Sequence, residues 1–143
     1  MKKLIGTSTC LALSFVLTAC ATTSSAPVPE PAKPAYLSAA AYKEISNTAY
    51  YGKTYSEREH MFSALLARDD LSPNQRAETY LWRGTSRGVW VNDGPYASPY
   101  CAVADFETML TMAPDHPQKA KALKDMAYQQ SRYQYFTEPA SCG

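Results

Sequence analysis

The sequence has almost no net charge: 14 Lys+Arg stand against 13 Asp+Glu. Without a basic surplus there is nothing to neutralise a phosphate backbone, so a nucleic-acid partner is not expected. Histidine is nearly missing too, with only His60 and His116. Neither has a second imidazole at metal-ligand spacing, and no Ser/His/Asp arrangement can be assembled, so no metal, no cofactor and no enzymatic activity are expected. Nor does any stretch alternate apolar and polar residues over strand length between turn signals. The uncharged stretch at residues 4–19 is short and broken by Ser, Thr and Gly, which excludes a permanent membrane span. What the chain does have is aromatic surface, 11 Tyr, 4 Phe and 2 Trp in 143 residues. That is too much to stay solvated as a disordered chain, and the length admits one folded domain.

Met1-Lys2-Lys3 followed by the uncharged run reads as a secretory signal. Its end, Leu17-Thr18-Ala19-Cys20, resembles the lipobox of bacterial lipoproteins: an aliphatic residue, two small ones, then cysteine. The resemblance implies that residues 1–19 are removed, that the Cys20 thiol carries lipid, and that the chain is held at a membrane. Because Ala21 and not Asp follows Cys20, it further implies the outer membrane, facing the periplasm or the cell surface. The bland alternative is an ordinary secreted protein cut after a small residue. Removal of residues 1–19 leaves 124 residues with 12 basic and 13 acidic side chains. Residues 20–35 form a tether: 21–34 hold four prolines and too little apolar area for a core. In polyproline II geometry, at about 3.1 Å per residue, they reach roughly 43 Å.

From residue 36 to 143 the signals are helical. A weak first helix is expected from about Ser38 to Tyr51, ended by Gly52. Ser56-Glu57-Arg58-Glu59 reads as a capping box ahead of Met61, Phe62, Leu65 and Leu66. Ser72-Pro73-Asn74-Gln75 is a second box, leading into Ala77, Tyr80, Leu81, Gly84 and Val89. Ser98-Pro99 opens a helix with Ala102, Val103, Phe106, Met109 and Leu110 inward. Pro117 opens another, with Ala120, Leu123, Ala127, Ser131 and Tyr135 on one side.

A shift of 43 lays Gln75-Arg76-Ala77 on Gln118-Lys119-Ala120 and Gly84 on Ala127; a shift of 44 lays Phe62 on Phe106. Together with Ala102-x₃-Phe106, Pro114, and Tyr80 with Gly84, this resembles a tetratricopeptide repeat over residues 55–135. Arg83 and Arg87 stand where that pattern has leucine and tyrosine, and the loop over residues 91–98 is about six residues too long. The expected body is therefore all-α, antiparallel helix hairpins amounting to about two repeats plus an N-terminal helix. A plain helical bundle is the alternative. In the repeat family the first helices line a groove for a partner segment. Carried over, the resemblance implies a groove of Glu78, Leu81 and Thr85, then Lys121, Lys124, Tyr128 and Arg132, whose basic half suits an acidic ligand from another envelope protein.

With Cys10 in the signal and Cys20 lipidated, Cys101 and Cys142 are left in an oxidising compartment, and a bond between them would fasten the last helix. Two free thiols or an intermolecular bridge are the alternatives. Gly84-Thr85-Ser86-Arg87-Gly88 spells G-x-S-x-G, but the residues before it are helical rather than a strand, so packing glycines explain it better than a nucleophile elbow. Finally, Trp82, Trp90, Tyr96 and Tyr100 flank the turn Asn92-Asp93-Gly94-Pro95. They either pack as core or form a binding surface; the second option makes Trp90 and Tyr96 candidates for peptidoglycan or glycan stacking.

Overall fold

The computed structural model describes residues 35–143. The Leu17-Thr18-Ala19-Cys20 box, the acylation at Cys20 and residues 21–34 of the tether lie outside them. The described residues form five α-helices, α1 (Ala39–Tyr50), α2 (Tyr55–Leu66), α3 (Pro73–Val89), α4 (Pro99–Met112) and α5 (Lys119–Ser131), followed by a 3-10 turn at Tyr133–Tyr135. There is no strand among them. Each helix packs on the next, α3 against α4 most extensively, and α1 meets α3 as α3 meets α5. Successive antiparallel pairs thus set alternate helices side by side, the stacking of tetratricopeptide-like hairpins.

The helix starts follow from side-chain oxygens that satisfy the first free N–H groups. Ser38 accepts from the N–H of Ala41 at 3.2 Å, and Ser98 from that of Cys101 at 3.2 Å. Ser72 and Gln75 exchange bonds of 3.2 and 2.8 Å in the expected box, with Pro73 in the first turn. The box of α2 lies two residues before the expected one. Thr54 caps Glu57, whose carboxylate accepts from the N–H of both Lys53 (2.8 Å) and Thr54 (3.1 Å). Both Thr54-x-x-Glu57 and Ser56-x-x-Glu59 satisfy the pattern, but Glu59 is taken by Arg87 in the interior. The start of α5 also differs. Pro117 belongs to the turn after α4, where Gln118 donates to His116 Nδ1 at 3.1 Å, and the helix begins at Lys119 without a side-chain cap.

The larger core joins Ala77 and Leu81 of α3 to Ala102, Phe106 and Met109 of α4 and Ala122 of α5. Gly84 makes the α3–α4 contact close: a Cβ there would lie 2.9 Å from the Phe106 ring and 3.0 Å from the Ala102 carbonyl oxygen. Tyr42, Leu65 and Leu71 form a smaller cluster that seats α1 on α2. Two expected inward faces are corrected. Val89 is 67% exposed, the inward places in that last turn of α3 going to Ser86, Arg87 and Gly88. In α5, Ala120, Leu123, Ala127 and Ser131 face solvent, as does Tyr135 beyond it, and Ala122, Met126 and Gln129 turn inward. The rotation follows from the contact with α3: Gln129 fills the space a Gly88 side chain would take, and Arg132 donates to the Gly88 carbonyl at 2.8 Å.

Cys101, buried at the start of α4, is paired with Cys142, with a Cα–Cα distance of 5.1 Å. The C-terminal segment is further held by Tyr100 and Tyr133, whose rings stack 4.0 Å apart.

Candidate functional site

The alternate helices α1 and α3 leave between them a cleft of about 510 Å³. Tyr42, Lys43, Asn47 and Tyr50 line it from α1 and Tyr51 from just past its end, with Asn74, Gln75, Glu78 and Trp82 from α3. Helical spacing accounts for the first set, since residues three and four apart share a face. The rings are arranged edge to face, Tyr50 to Trp82 at 5.2 Å and 68°, and Tyr50 to Tyr51 at 5.2 Å and 87°. Glu78 accepts from Trp82 Nε1 and from Gln118 Nε2, each at 3.3 Å, and so orients the indole while tying α3 to the start of α5. The Lys121 ammonium lies 5.6 Å from the Trp82 ring and the Arg58 guanidinium 5.5 Å from that of Tyr50. Tyr42 forms part of the floor, its hydroxyl within 3.2 Å of that of Thr79, and burial pushes its phenol above the ordinary range. Aromatic faces beside amide and carboxylate groups suit an extended peptide or another flat, polar-edged ligand.

Of the groove residues expected from the sequence, Glu78 lines this cleft and Lys121 stands at its margin. Leu81 does not belong to it: the side chain is fully buried in the α3–α4–α5 core. Thr85 bonds the Leu81 carbonyl of its own helix at 2.9 Å. Lys124 and Tyr128 stand exposed on the outward side of α5, and Arg132 is engaged with Gly88. The Tyr42, Tyr50, Tyr51 and Trp82 wall was missed because the groove was laid out only from residue 55 onward. Pairing α1 with α2 as a hairpin would have pointed to it.

The loop aromatics do not gather into one surface. Trp82 is in the cleft, Trp90 lies under Arg58 with the guanidinium 5.2 Å from its ring, Tyr96 faces Arg87 at 5.4 Å, and Tyr100 stacks on Tyr133. The two residues named for glycan stacking, Trp90 and Tyr96, are thus both occupied by arginines of the protein itself.

Arg87 belongs, with Arg83, to a charge cluster that the sequence did not announce. Arg83 holds Asp105 through two bonds of 3.0 and 2.7 Å, and Arg87 holds Glu59 through two of 3.1 and 2.6 Å while reaching Asp105 at 3.2 Å. Tyr55 donates to Glu59 at 3.0 Å. The Arg87 side chain is 1% exposed, so α2, α3 and α4 meet over buried charges that each need their partners. Burial pushes the Glu59 carboxyl upward, but the hydrogen bonds and charge of Arg87 outweigh it and hold Glu59 below the usual carboxylate range. For Asp105 burial wins, and its carboxyl lies above that range despite Arg83 and Arg87. Burial, with the Glu59 carboxylate beside it, also raises the Tyr55 phenol. Next to the cluster, Tyr55, Glu59, His60, Asp93 and Tyr96 border a second cleft of about 320 Å³.

Ser86 of the G-x-S-x-G stretch sits inside α3, and its buried hydroxyl has no hydrogen-bond partner. Gly84 and Gly88 on either side admit Phe106 and Gln129, the packing use of those glycines. His116 is buried in the α4–α5 turn and His60 is exposed. Among the described residues no group of three or more His, Cys, Asp or Glu is placed to hold a metal ion, and no helix is long and apolar enough to cross a membrane. No protein-family model, no curated protein and no solved structure matches the chain.

Proposed function

We propose that this is a non-enzymatic lipoprotein of the bacterial envelope, acylated at Cys20 in the outer membrane, whose helical body serves as a scaffold that binds a segment of another envelope protein. The observation that supports the binding role is the aromatic cleft between α1 and α3, on the side of the molecule where alternate helices line up. The binding surface moves accordingly from the residues first expected, Lys124, Tyr128 and Arg132, to Tyr50, Tyr51, Glu78 and Trp82, with Lys121 at the edge. Tyrosine and tryptophan give large contact area at low conformational cost, which is why they dominate binding energy at such surfaces.

The two parts are tested separately. Growth with an alkyne-bearing fatty acid should label the chain, and Cys20→Ser should abolish the label; unchanged labelling removes the anchor. A photo-crosslinking amino acid placed at Tyr51 in living cells should give a discrete adduct that Trp82→Ala weakens. The same probe at Thr111, an exposed position of α4, should give none. Equal adducts from both positions would remove the cleft as the binding surface.

A further inference from the structure

The last helix, α5, keeps apolar side chains on its solvent side, among exposed lysines. Toward the body it presents Ala122, Met126 and Gln129, with Asp125 at the edge, and outward it presents Ala120, Leu123, Ala127 and Tyr128. Leu123 is 43% exposed and Tyr128 61%. Packing on α3 and α4 leaves this second face uncovered, and apolar side chains grouped on one exposed face are available for contact.

The distribution of charge indicates what. Residues 35–143 hold 11 basic and 12 acidic side chains, yet Lys119, Lys121, Lys124 and Arg132 face the single Asp125 within residues 119–132. The rest of the body is left with seven basic and eleven acidic groups. Lys121 pairs with Asp125, whereas Lys119 and Lys124 are exposed and make no ion pair among the described residues. Arg132 keeps its charge on the same side as Tyr128, 5.5 Å from that ring and 5.2 Å from Phe136. Neither of the two clefts described above is lined by α5. Exposed lysines beside an exposed leucine and tyrosine on one helix are what an interfacial helix presents to lipid headgroups.

We propose that the outward face of α5 rests on an anionic phospholipid surface, with Leu123 and Tyr128 entering the headgroup boundary and Lys119 and Lys124 meeting lipid phosphates. The contact does not depend on acylation at Cys20, and it would hold the body against the bilayer with the α1–α3 cleft free.

The test uses the full chain carrying Cys20→Ser, with vesicles of phosphatidylcholine alone or with 30% phosphatidylglycerol. A dansyl-alanine at Ala127 should shift to the blue with the anionic vesicles only, and lose the shift in 0.5 M salt. The same label at Thr48, exposed on α1, should not respond. Lys119→Glu with Lys124→Glu should weaken the salt-sensitive binding about twenty-fold or more, at roughly 1 kcal/mol per basic residue near such a surface. Leu123→Asp should weaken it as well, and Val89→Asp, at an exposed apolar residue of α3, should not. A bound chain whose Ala127 label stays unchanged, or equal response to both vesicle types, would overturn the proposal. So would a label that responds to an acidic helical peptide and not to vesicles. Circular dichroism of each variant verifies the fold, and the wild-type label at Ala127 decides the matter even if a charge variant unfolds.

Discussion

The two helix pairs of this body are joined by different kinds of interaction. The first pair rests on a small apolar cluster, Tyr42, Leu65 and Leu71, with the Tyr42 hydroxyl satisfied by Thr79 of α3. The second pair has the larger apolar core, and it also carries a buried set of charges in which Arg83 and Arg87 hold Asp105 and Arg87 reaches back to Glu59 of α2. Apolar contacts tolerate partial loss where a site at the edge of a core collapses partway around the gap, since each atom contributes little and the cost follows the cavity that is left. Buried ion pairs do not: removing one partner leaves a charge without compensation in a medium that solvates it poorly. The first pair should therefore lose stability gradually under substitution, and the second abruptly.

The sharpest test of that contrast is Arg87→Ala, which leaves Glu59 without its cation and takes from Asp105 one of its two arginines, and should cost about 3–5 kcal/mol in denaturant unfolding. Leu71→Ala in the first cluster should cost less, since the site lies at the edge of a small core; equal losses would remove the distinction. Breaking the Cys101–Cys142 bond, which spans 41 residues, should cost up to about 4 kcal/mol in the chain-entropy account and act only on the second pair and its tail. Unfolding with and without reductant measures it. Gly84→Ala should destabilise by about 1–3 kcal/mol, because the new methyl meets the Phe106 ring and a backbone carbonyl. Gly88→Ala, facing the end of the Gln129 side chain, should cost less.

A pH series separates the two regions without changing size or shape. The Glu59 carboxyl is held below its unfolded value by Arg87, so its contribution is present above the ordinary carboxylate range and is lost as pH falls through its depressed value. Glu59→Gln should accordingly lower stability at neutral pH by an amount that shrinks toward acid; a constant difference would remove Glu59 from the cluster. The smallest effect is expected at Ser86, where Ser86→Ala removes an unpartnered buried hydroxyl. A gain of up to about 1 kcal/mol is predicted by thermal unfolding.

Much of the fold was legible along the chain. Ser38, Ser72 and Ser98 marked three helix starts because a side-chain oxygen at that position meets a local need, the unsatisfied N–H groups of the first turn. Ala77, Ala102, Phe106 and Met109 were legible because the helical period repeats within a few residues. The failures share a cause. Ser56-x-x-Glu59 and Thr54-x-x-Glu57 are locally equivalent, and only Arg87, 28 residues away, chose between them. The outward and inward faces of α5 are both apolar, and Gly88, on another helix, chose between those. Arg83 and Arg87 read as departures from a repeat pattern, since nothing next to them in sequence shows the acids they would meet. The candidate site was half legible for the same reason. Glu78 and Lys121 were named, whereas the α1 tyrosines became a wall only when α1 was set beside α3.

The sequence by itself thus determined the helices, the caps that open most of them and the small residues that let them approach, and through the lipobox resemblance it left Cys101 and Cys142 as the candidate pair. These depend on interactions within a turn or two, or on elimination among few candidates. The tertiary structure alone decided the rotation of α5, the partners of the buried charges and the place of the aromatic cleft. Each of these is a choice between options of nearly equal local energy, settled by a contact from a distant part of the chain.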